Sequence, residues 1–132
     1  MVDAPIIGDL EESDYTFPVC DEARLRKEYE ALIANRGDRF TMAGFGFVMF
    51  ERAWSLMGME NVLMSMMLCP DALEQFFDRI CDYFCHLLDI ALEYDVDGVY
   101  FGDDWGQQRG LIIAPTHAQL AAMLMRLEQN VL

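Results

Sequence analysis

Two adjacent acids stand in a short polar string, Asp103-Asp-Trp-Gly-Gln-Gln-Arg-Gly110. Asp103 and Asp104 are candidate catalytic groups, because partial burial and a neighbouring carboxylate both shift the pKa of a carboxyl group. Such a group can accept a proton or stabilise a cation that forms on a substrate. Because adjacent side chains alternate in direction, we expect one of the two to face a cleft.

The residues that follow the acids are suited to binding a flat, carboxylated molecule. Trp105 offers a face for a planar ring, and Gln107, Gln108 and Arg109 can hold carboxylates, with Arg109 in bidentate fashion. The alternative interpretation is a solvated turn whose acids cap the next element. The pattern favours a substrate-binding loop that holds a small molecule.

The position of this loop supports the functional interpretation. Asp97–Gly102 is short, apolar and rich in β-branched and aromatic residues, which predicts a buried strand. In parallel α/β folds the loops after the carboxyl ends of strands form the active site. We therefore expect the predicted strand to place the two acids at the edge where active sites of parallel α/β folds lie.

Helical segments separate this strand from an earlier one. Residues 1–18 predict an irregular lead-in, and Pro115 opens a last predicted helix. Long helical crossovers between short apolar strands indicate parallel pairing, and thus a helix-rich α/β fold with few strands. In order, the sequence predicts a helix at Asp21–Asn35, a strand at Asp38–Gly46, helices at Phe47–Leu56, Glu60–Leu68 and Pro70–Tyr94, and the strand at Asp97–Gly102.

Other groups have weaker claims to chemistry. Glu51 and Arg52 follow the first strand and are candidate substrate-binding residues, but an ordinary salt bridge in the first helical turn is the stronger interpretation. Cys81 and Cys85 share a helical face at a spacing that could bind a metal, but that face is apolar and His86 points elsewhere. We interpret the thiols as core packing and predict no metal site.

Composition limits the partners. The chain has 132 residues and a formal net charge of -14, which disfavours nucleic acid and anionic membrane surfaces. Its hydrophobic fraction of 54% indicates an apolar surface that is buried against another copy of the chain or against further sequence. No signal peptide is evident in residues 1–10, so we expect a cytoplasmic protein with reduced thiols.

Several strings resemble the uroporphyrinogen decarboxylase superfamily, over roughly residues 20–116. The most specific is Gly98-Val-Tyr-Phe-Gly-Asp-Asp-Trp-Gly-Gln-Gln-Arg-Gly-Leu-Ile-Ile-Ala-Pro115, which is similar to the family's strand, acidic or small polar residue, glycine and proline-led helix. Gly44–Arg52 resembles its earlier glycine turn, and Leu56–Asn61 its step from leucine through glycine to an acid. Cys69-Pro-Asp71 resembles the start of a family helix.

The resemblance implies a TIM-type (β/α)8 barrel, of which this chain is a single partial domain, since a complete barrel needs about 250 residues. It implies decarboxylation of a tetrapyrrole of haem synthesis, or of a related carboxylated substrate, without a cofactor. The alternative is a methyltransferase that uses a corrinoid and zinc. We expect the chain alone to be inactive. A different class of protein, a non-catalytic homo-oligomer that binds a small ligand, is the remaining alternative.

Overall fold

The computed structural model of the chain describes residues 5–112. In this part of the chain, helices cover one face of a parallel strand pair, and a small hairpin follows the second strand. The elements, in order, are α1 (Glu22–Ala34), β1 (Met42–Gly46), α2 (Phe50–Met57), α3 (Met59–Leu68), α4 (Pro70–Leu92), β2 (Gly98–Gly102), β3 (Gly106–Gln107) and β4 (Gly110–Leu111).

The strand pair confirms the predicted parallel arrangement of β1 and β2. Phe45 of β1 is opposite Phe101 of β2, and the two rings stack with their centroids 5.4 Å apart. Phe45 also meets Phe84 of α4 edge-on. Because side chains alternate across a strand, Met42 and Tyr100 point the other way, and they are 49% and 60% exposed. The helices therefore cover one face of the pair and leave the other bare among the described residues.

The long helix α4 forms one wall of the core. Pro70 begins it, at a position where the missing N–H costs nothing. The helix ends at Leu92, before the predicted Tyr94, because the N–H groups of Glu93 and Tyr94 bond back only three residues, to Ile90 and Ala91. Apolar residues recur every three or four positions on one face. The buried residues of α4 are Leu73, Phe76, Phe77, Ile80, Cys81, Phe84, Leu88, Ile90 and Ala91.

The first strand starts later than the sequence predicts. Arg39 N–H donates to the Arg36 carbonyl, so the residues after Gly37 form a turn before the strand begins. Thr41 then anchors the start of β1, because its N–H and hydroxyl both donate to Asp97 Oδ2, at 2.8 and 2.9 Å. These hydrogen bonds from Thr41 lower the pKa of the Asp97 carboxyl.

The helix after β1 also starts late, at Phe50 instead of the predicted Phe47. Phe47 has a φ of 55°, in the left-handed region, and a residue in that conformation cannot continue a right-handed helix. The chain reverses direction through Phe47, Val48 and Met49 before α2 forms. The sequence predicted that the helix begins directly after the strand end at Gly46, whereas three residues, 47–49, separate β1 from α2.

Residues 5–18 are irregular, as predicted, but they are not loosely attached. The N–H groups of Ile6 and Ile7 both donate to the Leu56 carbonyl, and Ile7 is 1% exposed. Phe17 stacks against Phe76 of α4. The lead-in therefore runs across α2 and α4 and contributes a side chain to the core.

The predicted helix α1 is confirmed within one residue at each end. Asp21 caps it by accepting the N–H of Arg24 at 3.0 Å. Side chains of α1 contact the two residues that follow α4: Tyr29 stacks on Tyr94, and Arg26 pairs with Glu93.

The predicted last helix, which Pro115 opens, lies outside the described residues. Among the helices at residues 5–112, none is long and apolar enough to cross a membrane.

Candidate functional site

The carboxyl ends of β1 and β2 lie together, because Gly46 is opposite Gly102 in the register. Val48 N–H donates to the Gly102 carbonyl at 3.3 Å and continues the contact beyond the strands. The segment after β1 and the polar string after β2 therefore meet at one edge. We call this region, residues 47–52 and 103–110, the carboxyl edge.

Asp103 holds the two halves of the carboxyl edge together. Its Oδ2 accepts the N–H of Phe50 and its Oδ1 accepts the N–H of Glu51, each at 2.8 Å. These are the first N–H groups of α2, whose own N-cap residue, Met49, provides no side-chain hydrogen bond. Asp103 thus caps α2 from a position more than fifty residues away in the chain. Both of its oxygens point at α2, and its catalytic role stays a prediction.

The electrostatics of Asp103 reflect two opposing effects. Burial raises the pKa of its carboxyl above the ordinary value, since a charge is less stable away from water. The N–H groups of Glu51 and Phe50 and the indole of Trp105 donate to the carboxylate and act in the opposite direction. Burial dominates, so this carboxyl keeps its proton to higher pH than an exposed aspartate.

Asp104 differs from its neighbour, as the alternation of side chains predicts. It is exposed, and its Oδ1 accepts the N–H of Gly106 at 3.0 Å in a local turn. Its other carboxylate oxygen has no hydrogen bond within the described residues. Of the two candidate catalytic acids, Asp104 is therefore the one that a ligand in solvent can reach.

The polar string folds into a hairpin that the sequence did not predict. β3 and β4 pair antiparallel, and Ile112 N–H donates to the Trp105 carbonyl at 2.9 Å. Trp105 stacks on Phe50 with ring centroids 5.4 Å apart, so its indole is partly committed to the fold. The remaining predicted binding residues, Gln107, Gln108 and Arg109, lie exposed on the hairpin.

Arg109 is the cation of this hairpin. Among residues 5–112 no carboxylate lies within ion-pair distance of its guanidinium. Other arginines of the described chain either pair with a carboxylate, as Arg36 does with Asp95, or donate to a backbone carbonyl, as Arg52 and Arg79 do. A guanidinium without a protein partner can bind a ligand carboxylate through two parallel hydrogen bonds. The hairpin therefore presents a cation in a chain whose net charge is strongly negative.

The predicted pair Glu51 and Arg52 lies at the carboxyl edge, but the salt bridge between them is wrong for the described structure. Arg52 Nε donates to the Phe47 carbonyl at 3.2 Å, and its guanidinium lies 5.9 Å from the centre of the Phe84 ring. The backbone N–H of Glu51 donates to Asp103 Oδ1. Arg52 is therefore engaged within the fold, and a ligand role for either side chain stays a prediction.

The thiols of α4 pack as the sequence indicated. The Sγ atoms of Cys81 and Cys85 lie 3.9 Å apart, and Cys81 is buried in the core. His86 lies elsewhere and meets Glu22 of α1. In the part of the chain that the structure describes, no group of three or more histidine, cysteine or acidic side chains could hold a metal ion.

The carboxyl edge thus combines a carboxylate in solvent, a cation and two amides on a hairpin that is anchored by Trp105. The guanidinium and the amides can donate hydrogen bonds to carboxylate oxygens of a ligand, and the Asp104 carboxylate can stabilise a positive charge that develops on it. Sequence reasoning missed Phe47, an aromatic residue at the same edge, because nothing in its neighbours signals a left-handed conformation. No protein-family model, curated protein or solved structure matches the chain.

Proposed function

We propose that the chain supplies two neighbouring parallel strands, β1 and β2, and the helices between them, to a (β/α)8 barrel similar to the uroporphyrinogen decarboxylase superfamily. The carboxyl edge binds a carboxylated small molecule, which the complete barrel decarboxylates in the cytoplasm. The other strands of the barrel come from outside these residues. Neither nucleic acid nor a membrane is a partner of this surface.

One observation carries the proposal: a polar hairpin lies directly beyond two aligned parallel strands. In barrels and open α/β sheets this edge is where ligands bind. The Arg109 guanidinium on the hairpin has no carboxylate partner in the described part of the chain, and the amides of Gln107 and Gln108 flank it. In a chain with a net charge of -14, an exposed cation without a carboxylate partner in the described residues is a place where a carboxylated ligand can bind.

The residues have distinct roles in this proposal. Arg109 binds a ligand carboxylate, and the two glutamines orient it through hydrogen bonds. Asp104 stabilises the positive charge of a protonated substrate. When the bond to the carboxylate carbon breaks and carbon dioxide leaves, the electron pair of that bond neutralises the charge, and a proton from solvent then replaces the carboxylate as the first proton is released. Asp103 positions the loops and does not touch the ligand, because both of its oxygens are bonded to α2.

Replacing Arg109 with glutamine tests the binding site. We expect the affinity for a carboxylate probe, 2-naphthoate, to fall by about tenfold or more, since a hydrogen bond to a charged group contributes about 1.5–3 kcal/mol. Isothermal titration of the intact protein measures the change. Arg24→Gln is the matched control, because Arg24 is an exposed arginine of α1 that pairs only locally with Glu28. Equal losses for both variants would show that the effect is one of net charge.

A second candidate function has its own observation. The bare face of the strand pair carries Phe40, Met42 and Tyr100, which are all exposed. An exposed apolar surface of this kind is typical of an interface between subunits. The candidate is a homo-oligomer that covers this face and binds a small ligand without catalysis.

If the protein is a homo-oligomer, we expect its thermal stability to depend on protein concentration. If a second copy covers the bare face, the midpoint of unfolding rises with concentration, because association stabilises only the folded chain. Replacing both Met42 and Tyr100 with serine removes that dependence, whereas Met67→Ser, at an exposed methionine of α3, leaves it intact. A midpoint that is independent of concentration in the unmodified protein argues against this candidate.

A further inference from the structure

Phe47 adopts a backbone conformation that, among residues 5–112, is otherwise found only at glycines. Its φ is 55°, and Gly37, at the turn before β1, has the same φ of 55°. The left-handed region is strained for a residue with a Cβ atom and most of all for a bulky one. A phenylalanine at this position therefore carries a conformational cost that a glycine or an asparagine would avoid.

The surrounding contacts hold Phe47 in this conformation. Arg52 Nε binds its carbonyl at 3.2 Å, and the next residue, Val48, bonds to the carbonyl of Gly102 at 3.3 Å. Three residues further on, Asp103 fixes the N–H of Phe50. Two of these contacts, from Val48 to Gly102 and from Phe50 to Asp103, also join the segments that follow β1 and β2. Strained residues that their surroundings hold in place are concentrated at functional sites.

Burial of the ring does not account for the phenylalanine. The residue is 48% exposed, and its ring lies beside Trp54, tilted by 53° with centroids 6.4 Å apart. By contrast, Phe45 of β1, two residues earlier in the chain, is 8% exposed and belongs to the core. Phe47 therefore presents an aromatic surface to solvent at the edge where β1 ends.

We propose that Phe47 is a ligand-contacting residue, and that its ring packs against a flat aromatic part of the molecule whose carboxylate Arg109 binds. The inference rests on the proposed function, since it concerns the same edge and the same ligand. It moves the contact with a flat ring from Trp105, whose indole stacks on Phe50, to the exposed ring of Phe47. Trp54, next to Phe47, extends the aromatic surface.

The test compares two probes of equal charge, 2-naphthoate and octanoate, on variants of the intact protein. Phe47→Gly and Phe47→Asn relieve the backbone strain, so we expect the midpoint of thermal unfolding to stay the same or rise. The affinity for 2-naphthoate falls by about 3- to 10-fold, as expected for the loss of one aromatic contact. Octanoate affinity changes less. Phe40→Gly, at an exposed phenylalanine ahead of β1, changes neither affinity.

The outcomes separate this inference from the proposed function. If 2-naphthoate binding depends on Arg109 but is the same in the Phe47 variants, Phe47 is not a ligand contact and the proposed function stands. If both variants lower the unfolding midpoint, the ring has a structural role and the inference is overturned. If neither probe binds in an Arg109-dependent way, the proposed function fails and this inference fails with it.

Discussion

Replacing Phe50 with alanine is expected to lower the free energy of unfolding by about 4 kcal/mol, a large part of the stability of a small domain. Phe50 is 0% exposed and belongs to the core between the sheet and the helices. Its ring also supports Trp105, so the variant loses the stacking contact that anchors the hairpin. Thermal unfolding followed by circular dichroism would show a midpoint lower by on the order of 15 °C.

The control for this prediction is Phe40→Ala. Phe40 is 71% exposed, and its removal is expected to change the free energy of unfolding by about 0.5 kcal/mol or less. Trp105 fluorescence gives a second readout, because the indole becomes more accessible to a quencher when Phe50 is absent. A Phe50→Ala variant as stable as Phe40→Ala would contradict the described packing at the start of α2.

Asp103→Ala is expected to lower the free energy of unfolding by about 2 kcal/mol at neutral pH, because the N–H groups of Phe50 and Glu51 lose their acceptors. Both hydrogen bonds are 2.8 Å long and lead to a partly buried carboxylate. Asp104→Ala, next to it but exposed, is expected to cost about 0.5 kcal/mol or less. Urea unfolding of the two variants measures the difference, and equal effects would contradict the capping role.

The pH dependence supplies a signature that simple loss of packing does not have. Because burial raises the pKa of Asp103 above its ordinary value of 3.8, the folded chain binds this proton more tightly than the unfolded chain does. The stability that the protonated group contributes is present below pH 3.8 and is lost as the pH rises through the raised value. Asp103→Asn removes this loss of stability, because asparagine does not titrate. The free energy of unfolding measured against pH for the unmodified protein and for the variant therefore differs by the contribution of Asp103. A difference of the opposite sign would mean that the hydrogen bonds outweigh burial.

The parts of the fold that the sequence predicts well are those with a local or periodic signal. The apolar spacing of α4 and the proline at its start predicted that helix to within two residues at its end. The helix predicted at Asp21–Asn35 is observed as α1, one residue shorter at each end, and Asp21 caps it by accepting the Arg24 N–H. Parallel pairing followed from the length of the helical crossover between β1 and β2. Each of these depends on residues that are near in sequence or on a simple rule of connection.

The carboxyl edge was predicted less completely, because its contacts join residues that are far apart in the chain. Asp103 was identified as a functional residue, yet its bonds to α2 depend on the register of two strands. For the same reason Arg52 was paired with its neighbour Glu51, whereas its observed contacts are the Phe47 carbonyl and the Phe84 ring. The left-handed backbone of Phe47 has no signature in residue type, since the turn it makes is ordinarily a glycine's.

Locating a bound carboxylate on the chain shows whether the carboxyl edge is its binding site. Isotope-labelled protein is titrated with 2-naphthoate, and the backbone amide shifts are followed by nuclear magnetic resonance. If the carboxyl edge binds carboxylates, the largest shifts lie at the amides of Gly106 and Gly110 and at the neighbouring Gly102, whereas Gly37 and Gly98 are little affected. Largest shifts at Gly98, at the opposite end of β2, or no saturable shifts at all, would contradict it.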